Sequence, residues 1–250
     1  MPDVHVVVHC YAAELPQFAA FLRCQLSSLV LYPPGVDYLI EVRFNPDDRA
    51  TLDVVNFFAV ELGTRIGLSP MQPPERLFRR AIGRNEAALS SHADLVWFSD
   101  CDYLFGPGCL DRMWQSWNDL DRFASMLFPE QILTMSSHQD GDLLASQELN
   151  RVVGIPFSLF VPQRVKKAFG GLQIVPGSLA RKHGYLEGYR RYQKPLDKPF
   201  ANFHDDIAFR KAMLKIGPIV PIDVPHLYRI RHTKSTYAGA PENIYGTVLS

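Results

Sequence analysis

Two aspartates lie one residue apart at the end of an apolar stretch. Leu95 to Ser99 has the length and composition of a buried strand, and Asp100-Cys101-Asp102 follows it directly. In an open α/β sheet, ligands bind outside the carboxyl ends of the strands. Carboxylates there suit Mg²⁺ or Mn²⁺, which keep positions free for substrate phosphates. We therefore expect Asp100 and Asp102 to hold a cation that carries nucleotide phosphates. The alternative is a turn with capping carboxylates.

A second acidic pair, Asp205-Asp206, follows His204 at the start of an expected helix. Acids in this position stabilise the positive end of the helix dipole and cap its N–H groups. A carboxylate here could also serve as a general base that takes a proton from an acceptor hydroxyl. The two roles are compatible, so the pair is a candidate catalytic site.

Basic and imidazole side chains accompany these acids. Arg84-Asn85 begins eleven residues before Leu95, counted along the chain. An arginine on the helix before the strand can bind phosphate or base with its bidentate fork, unless it belongs to a solvated basic face. Near the C-terminus, His226 and His232 are candidate third metal ligands, since neutral imidazole binds manganese well. Each could equally be a histidine without such a role.

The elements that must position these residues alternate between strands and helices. Such alternation predicts a parallel sheet with helices on both faces. Right-handed crossovers would then place the loops after Val8, Phe44 and Ser99 along one edge, so that Asp100 and Asp102 face the same crevice as the loop that starts at His9. The expected elements are strands Val4–Val8, Tyr38–Phe44 and Leu95–Ser99 and helices Leu15–Leu29, Thr51–Leu62 and Arg76–Ser90.

The second half has a less regular pattern, and we see no internal repeat. Gly170-Gly171 is expected to be a hinge before a short strand, and the chain from about Pro225 onward is expected to be tail-like. In the basic segment Arg181–Lys194, basic residues alternate with Tyr185, Tyr189 and Tyr192. This pattern favours a solvated helix with aromatic core contacts over a surface on which bases or sugars stack. The other expected elements are helices Leu110–Leu120 and Asp205–Lys215, a polar turn at Ser136–Asp142 and a strand at Ile219–Ile222.

Composition restricts the classes of function. The 250 residues carry 26 Lys and Arg against 26 Asp and Glu, so no global field would attract nucleic acid or anionic lipid. The four cysteines show no CxxC pairing, and no apolar stretch approaches the ~18–20 residues that span a bilayer. The N-terminus lacks the pattern of a signal peptide. We therefore expect a soluble cytoplasmic protein with reduced thiols.

With these motifs in order, the chain resembles the GT-A-fold nucleotide-sugar glycosyltransferases. The likeness is to the large inverting family that includes cellulose- and chitin-synthase-like enzymes. That family has Ala-Arg-Asn before the strand that ends in Asp-x-Asp, and an acidic pair that opens a later helix. The matching segments here are Arg84–Ala88, Asp94–Asp102 and His204–Arg210.

The resemblance implies a single α/β domain of GT-A (Rossmann-like) fold, with a mostly parallel central sheet flanked by helices. Residues 1–105 would form the nucleotide-sugar-binding half, and residues 106–250 the acceptor and catalytic half with a C-terminal tail. Asp205 is favoured over Asp206 as the base. The residues implied in donor binding are His9, Tyr11, Glu14, Arg43, Arg84, Asn85, Asp100 and Cys101, and those implied in metal binding are Asp100, Asp102, His226 and His232.

Two segments depart from the family pattern. The first loop reads His9-Cys10-Tyr11 where relatives have a proline and an Asn-Glu pair, and Arg43–Asp48 replaces the usual Asp-Asp-Gly-Ser. Both segments would contact the nucleotide base, so UDP- and GDP-sugars stay open as donors. The sequence lacks the Gln-x-x-Arg-Trp segment and a transmembrane helix, which argues against a processive polysaccharide synthase.

These observations predict a glycosyltransferase that needs Mn²⁺ or Mg²⁺ and moves a sugar from a nucleotide-diphosphate donor to an acceptor hydroxyl. Inversion of the anomeric centre is favoured, and a retaining route stays open. A nucleotidyltransferase is the alternative enzyme, but it would want a glycine-rich phosphate loop, and His9 to Leu15 contains no glycine. A non-catalytic nucleotide-sugar-binding module is the third possibility. The acceptor is open, with nucleic acid possible but not favoured.

Overall fold

The first part of the chain alternates strands and helices, as the sequence predicts. The computed structural model describes residues 1–120, 123–135, 148–198 and 204–231. Its first elements are β1 (Val4–Cys10), α1 (Gln17–Leu31), β2 (Tyr38–Phe44), α2 (Arg49–Leu62), β3 (Ile66–Pro70), α3 (Pro74–Phe78), α4 (Arg80–Ser90) and β4 (Leu95–Phe98).

The remaining elements are shorter and mix directions. They are β5 (Tyr103–Phe105), α5 (Cys109–Asn118), β6 (Met126–Pro129), β7 (Gln131–Met135), β8 (Phe160–Arg164), β9 (Gln173–Pro176), α6 (Gly177–His183), α7 (Asp205–Leu214), β10 (Ile219–Ile222) and β11 (Leu227–Arg229).

A seven-stranded sheet lies at the centre, in the order β10-β6-β9-β4-β1-β2-β3. Strands β1, β2, β3 and β4 pair in parallel, as do β6 and β10, whereas β9 is antiparallel to both of its neighbours. Every residue of β1 is buried, as expected for a strand covered on both faces. The predicted fold class, a mostly parallel α/β sheet flanked by helices, is confirmed.

The register of the sheet brings the chemistry-bearing loops together. Val7 of β1 pairs with Phe98 of β4, and Cys10 pairs with Phe44 of β2. The carboxyl ends of these three strands therefore lie side by side, and the loops that begin near His9, Arg43 and Asp100 share one edge of the sheet.

A second sheet has the order β5-β11-β7-β8, and no pattern in the sequence predicts it. Our expectation of a tail from Pro225 onward was wrong for its first residues: Leu227 is fully buried in β11, which pairs antiparallel with β5. The expected single helix over Arg76–Ser90 is two helices, because the backbone of Arg79 leaves the helical region at φ −89° and ψ 83°. The predicted turn at Ser136–Asp142 lies outside the described residues.

Two other expectations can be compared with the side chains. All four cysteines are buried and free, so no disulfide is present. Tyr185 is fully buried against Phe98 and Phe209, in agreement with aromatic core contacts in the basic segment. Within the part of the chain that the structure describes, no helix combines the length and the apolar character needed to cross a bilayer.

Candidate active site

Asp100 lies just beyond the end of β4 and is held by two arginines of α4. Arg80 Nη1 and Arg84 Nη2 both contact its Oδ1, at 2.5 and 2.9 Å. Arg84 is fully buried, and it also donates to the Tyr185 hydroxyl and to the Ser99 carbonyl. Arg84 thus fixes the strand end in place, whereas Arg80 keeps a side chain that is 19 % exposed.

Asp102 lies deeper, with only 1 % of its surface exposed. Its Oδ2 accepts a hydrogen bond from Arg229 Nε of β11 at 2.9 Å, and its backbone carbonyl accepts from the Ile230 N–H. The Arg229 guanidinium lies over the Tyr103 ring, 5.3 Å from its centroid. The second sheet therefore fastens the second aspartate of the motif.

The acidic pair at the start of α7 divides into two different environments. Asp205 is buried, and its Oδ1 accepts from Arg79 Nη1 at 3.1 Å. Asp206 is half-buried, and its Oδ2 accepts from the Gly170 N–H at 2.9 Å. Consecutive helical residues point about 100° apart, so one neighbour enters the interior while the other faces the turn at Gly170.

The turn at Gly170-Gly171 links the two acidic motifs. A Cβ on Gly170 would lie 3.4 Å from Asp100 Oδ2, so this turn separates Asp100 from Asp206 by little more than a backbone. The Gly171 carbonyl accepts from Trp97 Nε1 of β4 at 2.8 Å. Gln173 of β9 donates to the Asp206 carbonyl, and its amide oxygen accepts from the Tyr185 hydroxyl. The turn that was predicted as a hinge thus connects Asp100, a candidate metal ligand, with Asp206, a candidate general base.

Two side chains in the first loop predicted to contact the nucleotide base, His9 and Tyr11, are buried. His9 is buried, and neither of its ring nitrogens has a hydrogen-bond partner among the described residues. Burial and the charges of Arg84 and Arg43 hold the pKa of His9 well below its usual range, so the ring is neutral at pH 7. Tyr11 is buried against Phe18.

The other predicted donor-binding residues have partners within the protein. Arg43 pairs with Glu41 at 2.7 Å and with Glu86 at 2.5 Å. The Asn85 amide donates to Glu187, and its oxygen accepts from the Tyr185 N–H at 2.8 Å. These contacts tie α4 to its surroundings. Of the remaining predicted donor-binding residues, Glu14 is exposed and Cys101 is buried.

Several residues that shape the site were missed or underrated from the sequence. Gln25 of α1 donates to the Asp100 carbonyl at 3.0 Å, and no pattern in the sequence distinguishes it from any other helical glutamine. Arg80 and Arg229 are basic residues near the candidate motifs, and neither carries a motif of its own in the sequence. The spacing of Arg80 and Arg84, one helical turn apart, was a signal that both could reach one carboxylate.

The donor set around the two aspartates does not fit a divalent cation in this arrangement. Both carboxylates are engaged by guanidinium groups, and His226 is exposed with its Nδ1 2.7 Å from the Pro107 carbonyl. Among the described ranges, no three His, Cys, Asp or Glu side chains are close enough together to hold one ion. His232 lies outside those ranges. The metal site stays a prediction.

Comparison with solved structures gives the fold a class. The chain is similar to S. aureus TarS, a glycosyltransferase, with a TM-score of 0.59 and 15 % identity, covering 92 % of this chain and 37 % of that one. A TarS fragment in complex with UDP has a TM-score of 0.54 and 16 % identity, covering 92 % of this chain and 60 % of the fragment. The fragment in complex with UDP-GlcNAc has a TM-score of 0.56 and 15 % identity, covering 96 % of this chain and 61 % of the fragment.

These likenesses define a GT-A-like glycosyltransferase fold and do not extend to a specific family. The chain spans between 37 % and 61 % of the length of the TarS chains it matches. No family model matches the sequence, and no curated protein matches it in sequence.

Proposed function

We propose that this protein is a glycosyltransferase that uses a nucleotide-diphosphate sugar and an acceptor hydroxyl. The observation that carries the proposal is the meeting of two acidic motifs at one strand edge. Asp100 follows β4, and Asp206 lies in the first turn of α7. The Gly170 N–H donates to Asp206, and the Gly170 backbone comes close to Asp100. An open α/β sheet binds its ligands at this edge. The fold adds support, because its structural neighbours are glycosyltransferase chains.

A UDP-sugar is the first donor to test. The similar TarS fragment was crystallised with UDP and with UDP-GlcNAc. Near the end of β1, the neutral His9 ring is buried and has a hydrogen-bonding capacity that the described residues do not use. A buried polar group without a partner is destabilising, and a ligand that supplies one gains affinity.

Asp206 is the better candidate for the general base, in contrast to the preference for Asp205 drawn from the resemblance. Asp205 is buried and neutralised by Arg79, so an acceptor hydroxyl would have to displace that ion pair. Asp206 is half-buried, and its Oδ2 accepts from the Gly170 backbone N–H, with no ion pair to a described residue. We propose that Asp206 takes the proton of the hydroxyl as its oxygen attacks the anomeric carbon. Displacement of the diphosphate from the opposite face would invert that carbon.

The test is donor hydrolysis and sugar transfer, measured as nucleotide release from a panel of UDP- and GDP-sugars. Asp206→Asn should lower turnover by about 10²- to 10⁴-fold, the usual contribution of a general base, with a smaller effect on donor affinity. Asp205→Asn should act chiefly on stability, because it removes one partner of a buried ion pair. Asp53→Asn, an exposed carboxylate on α2, is the control.

Two results would contradict the proposal. Nucleotide binding without any turnover, across donors and acceptor hydroxyls, would indicate a non-catalytic binding module. Full turnover by a folded Asp206→Asn variant, together with a catalytic loss in Asp205→Asn that thermal unfolding does not explain, would return the role of base to Asp205.

A further inference from the structure

The two aspartates of the motif are already neutralised by arginines. Asp100 pairs with Arg80 and Arg84, and Asp102 pairs with Arg229. Three guanidinium groups thus outnumber the two carboxylates of the motif, and the next carboxylate is Asp206, across the turn at Gly170. Glycosyltransferase-type metal sites work through the opposite balance, in which carboxylates present negative charge to a cation.

A divalent cation would meet a high barrier at this cluster. It would have to break charge-assisted hydrogen bonds, which are about twice as strong as neutral ones, and then lie close to the released guanidinium groups. Asp102 presents the larger obstacle, because its side chain is 2 % exposed and is paired with Arg229. Separating a buried pair leaves an uncompensated charge in the interior.

A diphosphate meets the reverse situation. Its negative charge is attracted by the guanidinium groups, which bind phosphate oxygens with matched, bidentate geometry. Arg84 is fully buried and holds the strand end, so it does not contact a ligand. Arg80 has a side chain that is 19 % exposed, and its one ion pair within the described residues is to Asp100. Its remaining N–H groups can therefore turn toward a phosphate.

We infer that Arg80, positioned by Asp100, binds the diphosphate of the donor, and that this binding needs no divalent cation. The inference rests on the proposed function and replaces the expected Mn²⁺ or Mg²⁺ with a guanidinium group. Asp100 then acts as a positioning residue that fixes the Arg80 fork, and Asp102 anchors β11 through Arg229. The cluster stabilises the negative charge that develops on the leaving diphosphate.

The experiment is calorimetric titration of the full chain with UDP, GDP and UMP. The protein is first treated with EDTA and dialysed, and the titration is repeated with added MnCl₂. We expect one of the diphosphates to bind without metal, with an affinity that Mn²⁺ changes by less than about threefold and that falls as salt is raised. Removing the β-phosphate, as in UMP, should weaken binding.

Variants assign the effect to Arg80. Arg80→Gln should weaken diphosphate binding by about 10- to 100-fold, the range for a lost charged hydrogen bond, while UMP is affected less. Arg80→Lys should recover part of the loss, since it keeps the charge without the fork. Arg112→Gln on α5, which removes an exposed ion pair with Asp223, is the matched control. Thermal unfolding confirms that each variant is folded.

The outcomes separate the two proposals. Diphosphate binding that appears only with Mn²⁺, or that Arg80→Gln leaves unchanged, overturns the inference and leaves the glycosyltransferase proposal standing. Failure of every nucleoside diphosphate to bind, with metal and without it, overturns the proposed function as well.

Discussion

Gly171 offers a sharp test of the idea that the turn at Gly170-Gly171 positions the candidate site. A Cβ at Gly171 would lie 2.6 Å from the Asp100 backbone nitrogen and 2.7 Å from a ring carbon of Tyr103. Ordinary carbon contacts begin at about 3.5 Å, so Gly171→Ala must move the turn or the Asp100 loop by roughly 0.9 Å. The neighbour is backbone and cannot rotate away as the end of a flexible side chain would.

This displacement should affect catalysis more than folding. Overpacking of this kind destabilises by about 1–3 kcal/mol, whereas a shift of about 1 Å in catalytic groups can lower turnover by about 10²-fold. Nucleotide release measures the loss of turnover, and urea unfolding measures the change in the free energy of unfolding. Gly188→Ala is the matched control, because its Cβ would meet nothing within 4 Å. Wild-type turnover and stability in Gly171→Ala would refute this account of the turn.

Two predictions concern the stability of the fold. Burial alone would raise the pKa of Glu41, but the hydrogen bond from His5 and the charge of Arg43 lower it from 4.5 to about 2. The stabilisation is therefore full above about pH 4.5, and about 3 kcal/mol should be lost as the pH falls toward 2, a slope that urea titrations should find reduced in Glu41→Gln. Leu227→Ala should lower the free energy of unfolding by about 2–5 kcal/mol if β11 belongs to the core, and Leu214→Ala, at a side chain that is 56 % exposed, should change it little. An equal effect of the two leucine variants, or an unchanged acid slope in Glu41→Gln, would count against the burial and ion pairing described here.

The elements built from local patterns were predictable. The β-branched run at Val4–Val8 and the apolar run at Leu95–Ser99 both form buried strands, and the strands at Tyr38–Phe44 and Ile219–Ile222 have the predicted bounds. Each is surrounded by turn residues, and the three strands of the first half pair with one another, as the alternation of strands and helices implies. Sequence patterns of this kind determine class and order well.

A short strand after Gly170-Gly171 was predicted, but its antiparallel direction within the central sheet and the existence of the second sheet could not be predicted in the same way. Strand β11 is three residues long, too short for a periodic signal, and its partners are β5 and β7, far along the chain. Its formation depends on tertiary pairing, which a local window does not contain. The broken helix has a similar origin, since Arg79 is drawn toward Asp205 across 126 residues.

The acidic residues of the candidate site were predictable from the sequence, but the arginines that pair with them were not. Asp-x-Asp after a strand and an acidic pair before a helix mark an edge where ligands bind. Whether those carboxylates are open or neutralised depends on which cations pack against them, and Arg229 reaches Asp102 only through the second sheet. Adjacent residues such as Asp205 and Asp206 differ because one turns inward, a distinction that helix phase and packing make together.

The pairing of β11 with β5 has a consequence for synthesis and folding. Asp102 and Arg229 are 127 residues apart, so the ribosome must complete nearly the whole described chain before this ion pair can form. Contacts of such long range are slow to close, because the entropy of a large loop is lost before any contact forms. The strands β1 to β4 can pair early, whereas the Asp102 ion pair forms only after Arg229 has been synthesised. Newly made protein should therefore pair β1 to β4 before it fixes Asp102.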